Sequence, residues 1–193
     1  IVDFDSIDHE VSFRADRYGE VGEGDYLNLP FEKDEYYAFV DAVLEAEKTP
    51  CHGFEKPQYF ECCLPIEVMI ERGRDTLRFG PMKPVGLMDP RTGRRPYAVM
   101  QLRAENKAAS AYSMVGFQTK MKWPEQSRIF REFVPALKGA EFHRFGSVHR
   151  NTYIDGPKAL NKDLSLKGNN RIFMAGQITG VEGYLESTAI GAM

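Results

Sequence analysis

Apolar positions recur at helical spacing in three parts of the chain. After Pro30, the residues Tyr36, Phe39, Val40, Val43 and Leu44 fall on one face and predict a helix over 32–48. Asp34 and Glu35 lie in its first turn, where the helix dipole favours anions. Pro65 suits the first position of a second helix, because its missing N–H would have no partner there, and Gly73 closes that helix. A short helix over 74–78 follows. Trp123 and Pro124 open a further helix, with Ile129, Phe130, Phe133 and Leu137 on one face, a disturbance at Pro135 and a stop at Gly139.

Strand composition takes over at 97–103 and 111–120, and the intervening AENKAAS suits a hairpin loop. Residues 1–3 read as the end of a strand, and 4–30 as loop with one short strand at most. Residues 79–96 carry Gly80, Pro81, Pro84, Gly86, Pro90, Gly93 and Pro96 and predict an ordered loop. One or two strands are expected over 141–154, around His149, Arg150 and Asn151. After a polar stretch at 155–170, the sequence RIFMAGQITGVEGYLESTAIGAM reads strand, glycine turn, helix. The whole is α/β: helices on a small sheet, a boundary around 139–147, then a strand–turn–helix unit typical of nucleotide-binding domains.

Composition changes this picture in three ways. The longest apolar runs fall short of the 18 residues a membrane helix needs, and the acidic first residues lack a signal peptide's basic region. Three cysteines, two of them adjacent, argue against a disulfide framework and for a reducing cytoplasm. The start on Ile1 within strand-like text and the stop at Met193 within a helical pattern suggest a piece of a longer protein.

Charge is segregated. Up to residue 50, 14 acidic residues face four basic ones, most simply a solvated face. Between Arg72 and Arg103 the balance reverses: eight basic residues stand against Asp75 and Asp89. A rigid, arginine-rich loop suits phosphate groups, and Arg91, Arg94 and Arg95 are the candidate nucleic-acid contacts. Cys63 sits just before a helix N-terminus with Arg72 and Arg74 close in sequence, and both influences favour thiolate. The plainer reading is a small core residue. His149, Arg150 and Asn151 form either a ligand-facing set or a satisfied strand end. Gly176, Gly180, Gly183 and Gly191 let backbone approach a phosphate or a flavin edge, though a complete dinucleotide fingerprint is absent. No zinc-ligand spacing is present.

The stretches ECCLPIEVMIERGRDTLRFGPMKPVGLMDPRTGRRPYAVMQLR, VGFQTKMKWPEQSRIFR, VHRNTYIDGPKAL and FMAGQITGVEGYLES resemble, in order, the bacterial folate- and FAD-dependent tRNA (uracil-5-)-methyltransferases, TrmFO, relatives of the GidA/MnmG flavoproteins. The resemblance implies an α+β insertion domain over residues 1–140 and a partial Rossmann-like FAD-binding segment over 141–193, with the amino-terminal FAD domain elsewhere. It implies transfer of a methylene from 5,10-methylenetetrahydrofolate, through reduced FAD, to C5 of a T-loop uridine in tRNA, with NAD(P)H as reductant. Cys63 matches a family cysteine; Cys62 stands where glycine is more usual. His149 would stack on the folate pterin, with Arg150 and Asn151 beside it. Gly176, Gln177, Gly180 and Gly183 would line the flavin. Two alternatives remain: a tRNA-binding module without catalysis, and a GidA-like protein acting on a wobble uridine.

Overall fold

The computed structural model describes residues 1–50, 64–147, 152–181 and 183–192. The described residues up to 147 form one compact unit and those from 152 onward a second. The first is built on a five-stranded antiparallel sheet. Its strands are β1 (Val2–Asp3), β2 (Phe13–Arg14), β3 (Tyr26–Phe31), β4 (Ala98–Ala104) and β5 (Ala111–Met114), in the order β1-β5-β4-β3-β2. Three helices accompany it: α1 (Lys33–Glu45), α2 (Ile66–Glu71) and α3 (Trp123–Phe133).

Strand alternation sorts the sheet into two faces. Leu27, Leu29 and Phe31 of β3, with Ala98, Met100 and Leu102 of β4, join Tyr36, Phe39, Val40 and Val43 of α1, Ile66 and Ile70 of α2, and Ile129 and Phe130 of α3 in one core. Each of the large side chains contributes about 1.5–3 kcal/mol by leaving water. The opposite face holds a smaller apolar cluster, in which Val99 of β4 meets Phe13, Ala15 and Leu87. Leu87 belongs to the Gly/Pro-rich loop, so that loop covers the second face of the sheet and is ordered, as its composition predicts.

Several expectations are corrected. Residues 4–30, read as loop with one short strand at most, hold both β2 and most of β3, a central six-residue strand paired with β4 from Tyr26↔Arg103 to Phe31↔Ala98. Pro30 masks this strand in the sequence. The Tyr97 N–H donates to the Phe31 carbonyl, so Phe31 turns its polar groups toward β4 and Pro30 turns its nitrogen the other way. On that side β2 pairs only as far as Asn28, and no ladder bond is lost. Helix α1 ends at Glu45, three residues early, because Glu47 and Thr49 exchange backbone bonds with Lys122 and Lys120. Strand β5 stops at Met114; Gly116 turns at φ +74, and Gln118 and Met121 then bridge Pro65 and Lys48.

Over 141–154 the described residues contain only the isolated bridge from Phe142 to Val2. Beside that bridge, the Asp3 N–H donates to the Glu141 carbonyl at 2.9 Å and the His143 N–H to the Ile1 carbonyl at 3.0 Å, and side chains satisfy the flanking backbone. Arg131 Nε donates to the Ala140 carbonyl at 2.9 Å, and the Gln126 amide bonds both polar groups of Gly146.

The second unit contains α4 (Gly156–Ala159), a hairpin of β6 (Ser165–Leu166) and β7 (Asn169–Phe173), a 3-10 turn over Gly176–Thr179, and α5 (Tyr184–Ala192). The expected strand–turn–helix is thus present. All five residues of β7 are exposed, as are Tyr184 and Leu185 at the start of α5.

Candidate functional site

The arginine-rich loop is held from beneath by a polar ladder. Asn28 and Gln101 are cross-strand partners, and Gln101 Nε2 donates to Asn28 Oδ1 at 2.9 Å. Asn28 Nδ2 donates to the Ala15 carbonyl at 2.8 Å. Arg17 reaches over this pair: Nη2 donates to Gln101 Oε1 at 2.9 Å, and Nη1 to the carbonyls of Lys83 (2.8 Å) and Val85 (2.7 Å). One guanidinium therefore fastens the loop to the sheet. Gly86 (φ +83) lies against the Tyr18 ring, and a Cβ there would come within 3.1 Å of it.

The loop's tip is a tight turn around Asp89, which is buried. Its carboxylate accepts from the Arg91 N–H at 2.9 Å, from Arg91 Nε at 3.1 Å and from Nη2 at 2.7 Å. Its backbone N–H donates to the Arg94 carbonyl at 3.0 Å, and Gly93, at φ +65, donates back at 2.8 Å. Burial pushes the Asp89 carboxyl up, but the Arg91 guanidinium and N–H outweigh it and hold the group below the usual carboxylate range. Arg91, Arg94 and Arg95 are all exposed, yet their roles differ. The Arg91 fork is engaged by Asp89, whereas the guanidinium groups of Arg94 and Arg95 make no ion pair among the described residues.

Two other arginines of the basic stretch are built into the fold. Arg74 pairs with Asp41 at 2.6 Å, and Arg78 lies 3.6 Å over the Tyr97 ring while donating to the Tyr97 carbonyl. Beside them, Tyr37 and Tyr97 share Asp75: their hydroxyls lie 2.9 Å apart and within 3.1 and 3.2 Å of Asp75 Oδ1, so that two protons serve three contacts. The excess positive charge seen in the sequence is therefore only partly available to a ligand.

Cys51, Cys62 and Cys63 lie outside the described residues, as do His149, Arg150 and Asn151. The chain is described again from Leu64, and Pro65 precedes α2 as its N-cap. Glu67, in the first turn of α2, is fully buried. Its Oε1 accepts from the Thr119 hydroxyl and from the N–H groups of Lys120 (2.9 Å) and Met121 (3.1 Å). Its Oε2 is buried without a hydrogen-bond partner among the described residues, and so is Gln118 Oε1. Sequence reasoning missed Glu67, because a first-turn glutamate is ordinarily a solvated helix-dipole partner. Its only signal is its place four residues after Cys63.

In the second unit the glycines form one turn. Gly176, Gly180 and Gly183 adopt φ of +73, +88 and +93. Gly180 caps the 3-10 turn, donating to the Gln177 carbonyl at 2.9 Å, and Thr179 Oγ1 donates to the Gly176 carbonyl at 2.7 Å. A Cβ on Gly176 would meet nothing within 4 Å, so bare backbone faces open space there. This surface fits a flat cofactor edge laid against main chain. An open pocket beside it is lined by Gly156, Pro157, Leu160, Asn161, Lys167 and Thr179. Among the described residues no His/Cys/Asp/Glu group could hold a metal, and no helix is long and apolar enough to cross a membrane.

Comparison with known proteins agrees with the motifs. The chain is 60% identical over 191 residues to the methylenetetrahydrofolate–tRNA-(uracil-5-)-methyltransferase TrmFO of Myxococcus xanthus, covering 99% of this chain and 42% of that protein. Proteins of the same name from Anaeromyxobacter dehalogenans (strain 2CP-C) and Geobacter sulfurreducens are 58% and 59% identical, over 100% and 99% of this chain and 43% and 44% of their own lengths. The chain thus spans less than half the length of these curated relatives. Residues 1–193 match the family model described as glucose inhibited division protein A, so the chain belongs to that family, and within it is similar to TrmFO from end to end.

Proposed function

We propose that the chain is the insertion domain, with a returning segment of the FAD domain, of a folate- and FAD-dependent tRNA uridine C5-methyltransferase. The observation that carries this reading is the 56–60% identity to TrmFO proteins across the whole chain, which includes the ECCLPIE stretch. The reading divides the chain at about residue 140. Its setting is the bacterial cytoplasm, where tRNA is modified.

The chemistry explains why a cysteine is needed. C5 of uracil is a weak nucleophile. Addition of the Cys63 thiolate at C6 places negative charge on the C5–C4–O4 system, and C5 then attacks an electrophilic one-carbon unit. Loss of the C5 proton and expulsion of the thiolate restore the ring. A methylene group is one two-electron reduction above a methyl group, so the reaction needs a reductant, for which NAD(P)H is the candidate. FAD, when bound, supplies the redox and carbon-carrying chemistry. Gly176, Gln177, Gly180 and Gly183 would hold its ring system. His149 would face the pterin of 5,10-methylenetetrahydrofolate, with Arg150 and Asn151 available to its polar groups. Arg94 and Arg95 would meet tRNA phosphates, and Arg91 would keep their turn in shape.

The test uses the full-length protein. Cys63→Ala should abolish or sharply reduce methylation of a tRNA transcript while flavin absorbance stays intact; undiminished turnover would remove Cys63 from the reaction. The family match also admits a wobble-uridine modification enzyme. Nucleoside analysis of the product decides between them: 5-methyluridine in the T-loop supports the methyltransferase, and a modified anticodon nucleoside supports the other.

A further inference from the structure

Tyr18 lies in the turn between β2 and β3, is 81% exposed, and has a φ of +63. An L side chain, above all a bulky aromatic one, rarely adopts that left-handed backbone, and the same turn uses glycine at its other positive-φ positions, Gly22 and Gly24. The pose is nevertheless held firmly. The Tyr18 N–H donates to the Gly86 carbonyl at 2.8 Å. Next to it, Arg17 is fastened to the carbonyls of Lys83 and Val85 and to Gln101. Asp16 accepts from the Asp25 N–H at 2.9 Å and packs so closely on Gly24 that a Cβ there would lie 2.6 Å from the Asp16 nitrogen.

What these contacts hold in place is a ring. Its Cδ2, Cε2 and Cζ would lie 3.1–3.2 Å from a Cβ on Gly86, so the ring rests on bare glycine backbone and its remaining surface is open. An aromatic side chain stabilises a protein by being buried, so an exposed one on strained backbone gains the fold nothing. Its seat is the arginine-rich loop. Lys83 lies three residues before Gly86, and Asp89, which starts the turn carrying Arg94 and Arg95, three residues after it, at most about 11 Å along the chain. Lys83, Arg94 and Arg95 are exposed and make no ion pair among the described residues. Glu20 and Glu23, in the turn of Tyr18, repel phosphate. The ring is therefore suited to a flat group without charge of its own, whose phosphates keep to the arginine side. An unpaired nucleobase is such a group.

We propose that Tyr18 is a stacking platform for an unpaired nucleobase of tRNA, with Lys83, Arg94 and Arg95 receiving the flanking phosphates. The proposal rests on the tRNA reading given above and adds to it a contact that senses strandedness. Charge alone attracts stem and loop alike, whereas a base inside a stem has no free face to offer the ring. The left-handed backbone and the Gly86 seat fix the ring before RNA arrives, so little side-chain freedom is lost on binding.

The experiment measures binding of a tRNA transcript by the full-length enzyme over a range of salt. Tyr18→Ala should weaken binding about 5- to 150-fold, the worth of one stacked base, and leave the salt slope unchanged. Tyr18→Phe should restore it. A fully paired RNA duplex should bind Tyr18→Ala and the parent equally. Tyr18→Gly separates binding from folding: it relieves the backbone, so its urea midpoint should exceed that of the parent while its tRNA affinity is as low as that of Tyr18→Ala. Equal tRNA affinity in the parent and in Tyr18→Ala, or an equal loss on tRNA and on duplex, would overturn the proposal. So would loss of flavin or a changed oligomeric state in Tyr18→Ala, since protein would then cover the ring. If the parent itself shows no salt-dependent binding of tRNA, the underlying reading fails; if it does and Tyr18→Ala matches it, the platform alone fails.

Discussion

Arg91, Arg94 and Arg95 sit within five positions of one another and do different work. Arg91 neutralises a buried carboxylate, so Arg91→Ala should destabilise the protein by about 1–2 kcal/mol, at the low end for a charged hydrogen bond because its side chain is partly exposed. Urea unfolding measures this, and the loss should fade as pH falls through the depressed pKa of Asp89, where the carboxylate takes up a proton. Arg94→Ala and Arg95→Ala should leave stability unchanged and each lower the slope of log affinity for tRNA against log salt by about 1. A stability loss in these two, or an unchanged slope, would contradict the division of labour. Tyr37 supplies a second residue-scale prediction. Its hydrogen bond with Tyr97, then burial and Asp75, push its hydroxyl up to about 12 from an ordinary 10.0. Between these values the unfolded chain ionises while the folded protein keeps its proton. The unfolded state then binds fewer protons, so stability is fully present below pH 10 and falls as pH rises toward 12. Tyr97→Phe removes the leading cause and should flatten that decline in urea midpoints taken from pH 9 upward.

At the scale of elements, what the sequence shows depends on how local each cause is. Helix α1 is legible because Tyr36, Phe39, Val40 and Val43 repeat along one face and all four are buried. The same holds for α3 and for the strand–turn–helix of the second unit. Strand β3 is hidden, since Pro30 is compatible with a strand only through the shortness of β2, a fact of pairing and not of local sequence. The buried contacts of Glu67 with Thr119 and of Gln126 with Gly146 are hidden for the same reason: their partners lie 52 and 20 residues apart. The glycine turn is legible and also testable. Gly180 has φ +88, where an L side chain costs about 1–2 kcal/mol, and its nearest neighbour is the Tyr153 ring at 3.9 Å. Gly180→Ala in the full-length protein should therefore reduce the ratio of FAD to protein by distorting backbone and not by collision. An unchanged ratio would place the flavin away from this turn.

For the molecule as a whole, the two units differ in how completely they bury themselves. The first contains a continuous core under a five-stranded sheet. The second, among the described residues, is a two-stranded hairpin with the one-turn helix α4, a 3-10 turn and α5, and it leaves Ile172, Phe173, Tyr184 and Leu185 in water. Such a hairpin offers little independent stability. The 193-residue chain purified alone should accordingly be colourless, and a visible flavin band in its absorption spectrum would show that these residues suffice to hold the cofactor. The sheet of the first unit has a further consequence, which concerns synthesis. Val2, fully buried, pairs with Tyr112 and bridges Phe142. A growing polypeptide exposes this residue early and cannot cover it until some 140 later positions have left the ribosome. Within this sheet the edge strand synthesised before the others is therefore closed last, and during that interval it is open to chaperones and proteases.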